Sequence, residues 1–430
     1  MKNKKIAILG WGIDTQDVVP YLLKNGAQIT VFDQAQNLNT KYTHEINWLL
    51  EKDNFGDLSK FDLIIRSPGV YRYRPEIIAA EKAGVEISSK IKLFFDLCPG
   101  KIIGVTGTKG KGTTSTLIYE ILKNAEKKVF LGGNIGSGIF SFLPELDTDS
   151  WIVLELSSFQ LIDLTKSPHI SVVLMTTVEH LNWHVSPQEY IDAKKNIVSH
   201  QTKSDYAIVN NDYPNSVEIG KVATGQVIWI SRDTLSNLQN SDIGLIGPHN
   251  RENVAAALTV AHVIGVSEEI IRSTIKNFKG LEHRLEKVGT VNGVTFYNDS
   301  FSTTPETTIA AINAFSEPII IIVGGSDKGS DYTELGKLLA SRSNIKAVIL
   351  IGLMSRKIED AILSAKKSMS TKIVQGCKNM SEIVQKAYNI ASEGDVVVLS
   401  PGAASFDMFK NYKNRGELFK EEVSKLKNAS

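Results

Sequence analysis

Short apolar runs recur along the chain, each closed by glycine or small polar residues and followed by a stretch with helical spacing. Ile6-Ala7-Ile8-Leu9 runs into Gly10-Trp11-Gly12, and Gln28 to Asp33 follows after a helical interval. Strand-length runs alternating with helices predict mainly parallel sheets covered on both faces. The alternation continues through Leu63-Ile64-Ile65-Arg66, Val129-Phe130-Leu131, Trp151 to Glu155, Ile170 to Met175 and Tyr206 to Asn210. Helical patterns lie around Tyr190 to Val198 and Asn253 to Ile264. A last group begins after Leu281, with runs at Val294 to Asn298, Ile319 to Val323, Ala347 to Ile351 and Asp395 to Leu399. The break at Cys98-Pro99-Gly100 and the fresh start near Leu281 divide the chain into 1–97, 98–280 and 281–430. A length of 430 residues exceeds what one core supports, which agrees with that division.

Among the turns, Gly104-Val105-Thr106-Gly107-Thr108-Lys109-Gly110-Lys111-Gly112-Thr113-Thr114 stands apart. It joins the strand around Ile102-Ile103 to a helix marked by Leu117, Ile118, Ile121 and Leu122, the setting of a phosphate-binding loop. Its glycines let backbone N–H groups and a helix N-terminus approach phosphate oxygens. Lys111 adds positive charge at the terminal phosphates, and the Thr113 hydroxyl is a candidate Mg²⁺ ligand. The spacing G-x-x-G-K-G-T departs from the strict G-x-x-x-x-G-K-[ST] form, and glycine-lysine loops also serve as plain turns. The expected fold is α/β in three domains: a Rossmann-like N-terminal domain, a central P-loop-type ATP-binding domain with a mainly parallel sheet, and a C-terminal Rossmann-like domain.

Other strand ends carry candidate chemistry. The Gly10-Trp11-Gly12 turn, with Asp33 ending the second strand, outlines a ribose and diphosphate cradle. Thr15 occupies the third-glycine place of G-x-G-x-x-G, so another diphosphate fits as well as a dinucleotide. Ser67-Pro68-Gly69 closes the next strand, where doubly wound sheets line their crevice, although such a tripeptide also serves simply to reverse a chain. Glu155 ends an apolar strand, a position from which a carboxylate meets phosphate-bound Mg²⁺. His180 and His184 have the i,i+4 spacing of a metal pair if helical, but no H-E-x-x-H glutamate or third ligand accompanies them. Lys194, in an amphipathic helical stretch, reads as a surface lysine on spacing alone. Asp299 ends a strand shortly after His283-Arg284; an Arg clamps phosphate or carboxylate, and a strand-end Asp can hold a ribose. Ser400-Pro401-Gly402-Ala403-Ala404-Ser405-Phe406-Asp407 follows a strand and is expected to open a helix, with donors placed for an anionic small molecule.

Composition narrows the partners. A net charge of +1 with 22% charged residues gives no electrostatic footprint for nucleic acid or an anionic membrane. The longest apolar run, Ile319 to Val323, is far shorter than a membrane span, and Ile6 to Leu9 is too short for a signal-peptide core. Cys98 and Cys377 supply neither a disulfide framework nor a four-ligand zinc site. A cytoplasmic protein without membrane insertion is expected.

Gly107-Thr108-Lys109-Gly110-Lys111, Gly132-Gly133-Asn134-Ile135-Gly136, Leu154 to Gln160, His283-Arg284, Asn298-Asp299-Ser300 and Ser400 through Gly416 follow one another in a familiar order. Together, over nearly the whole chain, they resemble the Mur ligases, ATP-dependent enzymes that extend the peptide stem of peptidoglycan precursors. The resemblance implies ATP, a pair of Mg²⁺ ions, and UDP-N-acetylmuramoyl-L-alanine and glutamate as partners, joined through an acyl phosphate by a monomer. It implies that Gly107, Thr108, Lys109, Gly110, Lys111, Gly112 and Thr113 bind ATP together with Asn250, Arg284 and Asp299. Lys111, His180 and Lys194 form the implied catalytic set, with Lys111 at the γ-phosphate. Thr113, Glu155, His180 and Lys194 serve the metals, and Lys194 does so as a carbamate, which turns a cation into an anionic ligand. Ile13, Asp14, Asp33, Ser67 and Gly69 correspond to a uridine diphosphate cradle. Asn134, Ser157, Gln160 and Asn253 correspond to residues that hold the acceptor, and Thr303, Lys328, Ser405 and Tyr412 to those around the incoming glutamate.

The chain also departs from the family pattern. Gly112 stands where Ser or Thr usually follows the loop lysine, a form that resembles folylpolyglutamate synthases, which also add glutamate through an acyl phosphate. The nucleotide-sugar-like first domain argues against that reading. Met175 stands where Asn is common, Glu179-His180 replaces an Asp-His pair, and Phe301 replaces the lysine of Asn-Asp-Ser-Lys. The last change leaves D-glutamate as the first expectation and L-glutamate as the alternative. A nicotinamide-dependent oxidoreductase built on the first segment would leave the phosphate loop and Glu155 idle.

Overall fold

Most of the predicted runs become strands buried on both faces, and the computed structural model assembles them into three sheets. It describes all residues except 37–39, 41, 43, 52–54, 137, 236, 237, 246, 248, 328, 366–370 and 430. The first sheet is parallel and contains β1 (Lys5–Leu9), β2 (Gln28–Phe32), β3 (Asn47–Leu49), β4 (Leu63–Arg66) and β5 (Glu86–Ser89), in the order β3-β2-β1-β4-β5. The chain winds away from β1 in both directions, so the turns after β1 and β4 open onto one crevice.

The second sheet is also parallel. It is built from β6 (Lys101–Thr106), β7 (Val129–Gly133), β8 (Trp151–Glu155), β9 (Ile170–Val173), β10 (Tyr206–Asn210) and β11 (Gln226–Ile230), in the order β11-β10-β9-β6-β8-β7. β8 and β9 flank β6 on opposite sides, so the segments leaving all three strands meet at a switch point.

The third sheet is mixed. β12 (Glu286–Val291), β13 (Val294–Asn298), β14 (Ile319–Gly324), β15 (Ile345–Ile351), β16 (Lys372–Val374) and β17 (Val396–Leu399) lie in the order β12-β13-β17-β14-β15-β16. β12 runs antiparallel to β13 through Asn292-Gly293, whose φ values of 45° and 77° suit a tight hairpin turn of the primed type. Side chains of β14 alternate between two cores: Ile320 and Ile322 join Phe296 and Phe419, while Ile319, Ile321 and Val323 join Leu335 and Ile358.

The chain separates into two compact units, Met1–Gln239 with Arg251–Ile275, and Asn240–Asn250 with Lys276–Ser430. The first unit holds two sheets because one apolar core runs between them, from Ile6, Val18 and Leu22 through Phe94 and Phe140 to Ile152 and Val209. Phe94 meets Phe142 edge-on at 6.0 Å, and Tyr21 lies 5.3 Å from Phe140. Among the described residues, no helix is long and apolar enough to cross a membrane.

One expectation fails locally. The segment after β17 does not open a helix at Ser400 to Asp407; helix begins only at Tyr412 and runs Tyr412–Ala429. Pro401 and Gly402, the latter at φ +64°, turn the chain, and Ala404 bridges Ser326 instead. The buried Arg415 guanidinium takes the carbonyls of Ala403 and Ala404 at 3.2 and 3.3 Å, so those oxygens are diverted from a helical ladder.

Candidate active site

The loop from β6 into helix Lys111–Asn124 is shaped by glycines at the two places where side chains cannot fit. Gly110 has φ +88°, and a Cβ there would stand 2.2 Å from Asn253 Oδ1, so the loop rests directly on helix His249–Ile264. Gly107, at φ +152°, presses against Leu174 and Met175. Thr108 anchors the turn: its N–H donates to the Met175 carbonyl at 2.7 Å, and its hydroxyl lies 2.7 Å from the Thr177 carbonyl and 3.0 Å from the Tyr190 hydroxyl. Lys111 Nζ folds back to donate to the carbonyls of Gly107 and Thr108 at 3.0 and 3.1 Å.

Lys194 reaches the same carbonyl from the opposite side. The spacing-only reading as a surface lysine is wrong: its relative exposure is 1%. Helix Pro187–Lys195 turns Tyr190 and Lys194, one turn apart, toward the end of β6. Lys194 Nζ donates to Thr106 Oγ1 and to the Gly107 carbonyl, both at 3.0 Å, and lies 4.9 Å from the Tyr190 ring centroid. Burial, reinforced by Lys111 and opposed by Glu179, holds its amine well below the usual lysine range. Lys195 points outward to Asp192 and Glu218, at 2.8 and 2.7 Å.

Glu155 is buried at the end of β8, in register with Val105 on one side and Gly133 on the other. A Cβ on Gly133 would come within 2.2 Å of the Glu155 carbonyl, which also accepts from Asn134 N–H at 3.1 Å. Asn134 itself is exposed, and Thr113 is half-buried in the first turn of the loop helix. Ser157 caps helix Ser158–Leu161, with Gln160 Oε1 accepting from Ser157 N–H at 3.0 Å. Gln160 Nε2 is buried with no hydrogen-bond partner among the described residues, an amide donor left over for a ligand.

The two histidines are not a helical metal pair. His180 has φ +61° in a turn, is half-exposed, and lies 4.9 Å from the Phe159 ring. Burial lowers its pKa, with Glu179 opposing and Lys111 and Lys194 adding to the drop. His184 is buried with both nitrogens engaged, Nδ1 at 3.0 Å from Glu189 and Nε2 at 2.9 Å from Ser158. A hydroxyl, a buried carboxylate and one imidazole are a donor set that suits Mg²⁺ better than zinc.

The nucleotide-side candidates lie at the carboxyl ends of β1, β2 and β4 or just beyond. Asp33 accepts from the N–H groups of Trp11 and Ala35 at 2.6 and 2.8 Å. Asp14 pairs with the buried Lys90. Ser67 is buried against Gly10, where a Cβ would stand 3.0 Å from Ser67 Cβ, while Ile13 and Gly69 are exposed.

In the second unit, Asp299 is buried and accepts from Ser400 Oγ at 2.7 Å and Leu285 N–H at 3.1 Å. Burial pushes its carboxyl up to about 6, against those hydrogen bonds and Arg284. The Arg284 guanidinium lies 3.8 Å from the Phe301 ring centroid, and Phe301 meets Tyr412 edge-on at 5.1 Å. Thr303 is half-buried, Ser405 and Asn250 are buried, and Lys328 lies outside the described residues. Sequence reading missed Arg415, which donates to Ser300 Oγ and Ser300 O at 2.9 and 2.8 Å, and Tyr190, whose i,i+4 relation to Lys194 was the available signal.

Family models for the Mur ligase MurD-like N-terminal domain, the Mur ligase middle domain and the Mur ligase glutamate ligase domain match residues 4–89, 105–261 and 283–402. The chain is 40% identical to the UDP-N-acetylmuramoylalanine--D-glutamate ligase of Acetivibrio thermocellus, over 99% of this chain and 97% of that one. It is 36% identical to the protein of the same name from Ruminiclostridium cellulolyticum, over 99% and 98%. Among solved structures, MurF ligase from Thermotoga maritima in complex with ADP shares the fold at TM-score 0.60 and 18% identity, covering 99% of this chain and 96% of that one. UDP-N-acetylmuramate-alanine ligase MurC from the same organism does so at TM-score 0.58 and 16% identity, covering 100% of each. Full-length identity of this order, on a chain whose three sheets place the motif residues at their strand ends, makes the protein a member of the Mur ligase family.

Proposed function

We propose that the chain joins D-glutamate to UDP-N-acetylmuramoyl-L-alanine at the expense of ATP, in the cytoplasm, as a step of peptidoglycan precursor synthesis. The observation that carries this reading is the convergence of Lys111 and the buried Lys194 on one carbonyl of a glycine loop beside Glu155. The names of the full-length relatives select the substrates. Residues 1–97 would hold the uridine diphosphate through Ile13, Asp14, Asp33, Ser67 and Gly69. Residues 98–280 would bind ATP, and residues 281–430 glutamate.

The acceptor carboxylate is a poor electrophile with no leaving group. Its oxygen attacks the γ-phosphorus of ATP, ADP departs, and the acyl phosphate now carries phosphate as its leaving group. The glutamate amine adds to the carbonyl carbon, loses a proton, and the tetrahedral species collapses to amide and phosphate. Lys111 would neutralise the transferring phosphoryl group, while Ser157, Gln160 and Asn134 orient the acceptor. Thr113, Glu155 and His180 would hold Mg²⁺, which supplies charge neutralisation at the phosphates. Lys194 would do so as a carbamate: only a neutral amine adds CO₂, and its burial beside Lys111 favours that form. L-glutamate is the second reading, because the exposed Phe301 presents an aromatic ring where the family has a cation. Phosphate release from ATP that requires both UDP-N-acetylmuramoyl-L-alanine and D-glutamate tests the proposal; release without the acceptor, or none at all, overturns it.

A further inference from the structure

Arg66 is, with Arg415, one of two arginines among the described residues buried to full exclusion of solvent, and the reaction outlined above gives it no task. It ends β4, immediately before the Ser67-Pro68-Gly69 turn. One nitrogen, Nη1, donates to the carbonyls of Ser67, Pro68 and Val70 at 3.0, 3.4 and 2.5 Å, cinching that turn around itself. Nη2 reaches helix Ser158–Leu161 and donates to the Phe159 carbonyl at 2.7 Å, while Nε and Nη2 both meet Asp163 Oδ2, at 3.1 and 2.5 Å. Phe159 lies between Ser157 and Gln160, and its ring lies 4.9 Å from His180 and stacks on His184 at 5.5 Å. A second arm runs alongside. Tyr71 OH donates to Glu189 Oε2 at 2.9 Å, and the other oxygen of Glu189 engages His184, which in turn engages Ser158.

A buried ion pair adds little net stability compared with apolar residues of the same volume, so stability alone does not account for this arrangement. Its geometry does something an apolar pair cannot: five directional donors fix one turn and one helix in a single frame. We propose that Arg66, seconded by Tyr71, is a positioning residue that ties the turn on the nucleotide side to the Ser157–Gln160 and His180 turns on the reacting side. Binding energy from the uridine diphosphate end is thereby delivered as alignment of the distant carboxylate. Remote binding energy used in this way appears in kcat, and it is lost when the remote part of the substrate is removed. The inference rests on the ligase reading and adds a coupling role that the reading does not contain.

The test compares two acceptors, UDP-N-acetylmuramoyl-L-alanine and N-acetylmuramoyl-L-alanine lacking the nucleotide, in wild type, Arg66→Lys and Tyr71→Phe. Lysine keeps the charge beside Asp163 but cannot span Val70 and Phe159 together; phenylalanine removes only the hydroxyl. Wild type should turn over the complete acceptor with a kcat at least 100-fold above the truncated one. Arg66→Lys should compress that ratio tenfold or more, and Tyr71→Phe severalfold, with KM for ATP within twofold of wild type. Equal loss on both acceptors, or an unchanged ratio, is the signature of a merely structural role and overturns the proposal. If Arg66→Lys does not fold, as read by its thermal midpoint, an unchanged ratio in Tyr71→Phe suffices to overturn it. A wild type that ligates neither acceptor removes the ligase reading, and a wild type that uses both equally removes the coupling alone.

Discussion

Lys111 and Lys194 end on the same Gly107 oxygen, the first half-buried and the second buried, and two ammonium groups brought that close repel each other. Burial first, and Lys111 second, hold the Lys194 amine well below the usual lysine range, and on the proposed reading Lys111 would be the one that meets phosphate. Lys111→Ala should keep its fold, because the side chain touches loop carbonyls and belongs to no apolar core. Its ligation rate should fall by about two orders of magnitude, roughly 3 kcal/mol of lost transition-state stabilisation. Near-normal steady-state rates in that variant would remove the phosphate role. Lys194→Ala should be nearly inactive and partly rescued by short carboxylic acids that replace the carbamate, whereas Lys195→Ala should behave as wild type because its side chain lies on the outer face, with Asp192 and Glu218. Mass spectrometry under CO₂ showing no adduct, together with no rescue, would refute the carbamate. Asp299 supplies a pH prediction of definite sign. Its folded value of about 6 lies above the ordinary 3.8, so its contribution to stability is present below pH 3.8 and lost as pH rises through about 6. Holding a ribose hydroxyl as acceptor favours the carboxylate, so kcat/KM for ATP should rise over that interval. Asp299→Asn should lower kcat/KM at neutral pH and abolish the acidic limb; an unchanged limb would assign it to another group.

At the scale of elements, the apolar runs closed by glycine or small polar residues were readable because strand period and turn chemistry agree at β1, β6, β8, β14 and β17. The glycine loop was readable for the same reason, and its packing now gives a test. Gly110→Ala places a Cβ on Asn253 at a backbone angle that L-residues rarely adopt, so stability should drop by about 1–3 kcal/mol in denaturant melts. ATP affinity should weaken in the same variant, and a stable variant with intact affinity would show that the loop tolerates another path. What the sequence hid depends on tertiary contact. β3 is only three residues long, and β12 buries only Val291; neither carries a continuous apolar run, although Asn292-Gly293 was a legible hairpin signal. The late start of helix Tyr412–Ala429 follows from Arg415 claiming carbonyls a dozen residues upstream, a long-range hydrogen bond that no local pattern carries. Lys194 was hidden by its helix, whose polar sequence around Asp192 and Lys195 resembles a solvated face. Arg66 was read as the last residue of a strand, since nothing nearby in the chain announces Asp163.

At the scale of the whole molecule, the site candidates divide between the two compact units: the phosphate loop, Glu155 and Lys194 in the first, and Asn250, Arg284, Asp299 and the glutamate-side residues in the second. On the proposed reading, choice of amino acid would belong to the second unit, and Phe301 is the departure from the family pattern that falls there. The ring lies against Arg284 on one side and Tyr412 on the other, so it occupies the lysine's place without its charge and holds the guanidinium by a cation–π contact. On the proposed reading, Lys328, which lies outside the described residues, Thr303, Ser405 and backbone amides would receive the two carboxylates of glutamate. A site built to pair both carboxylates leaves donors unfilled when the chain is one methylene shorter, and unfilled buried donors discriminate strongly. D-aspartate should therefore be a substrate at least about 100-fold poorer in kcat/KM than D-glutamate. Phe301→Lys removes the contact and sets a second cation beside Arg284. Its KM for ATP should rise about two- to fivefold, the equivalent of an exposed cation–π contact, while D-glutamate remains the preferred enantiomer. Initial rates with D-glutamate, L-glutamate and D-aspartate on both proteins decide the matter. Equal use of aspartate would discard the two-carboxylate site, and exclusive use of L-glutamate by the wild type would mean that the aromatic wall, and not the family's charge pattern, sets the hand of the substrate.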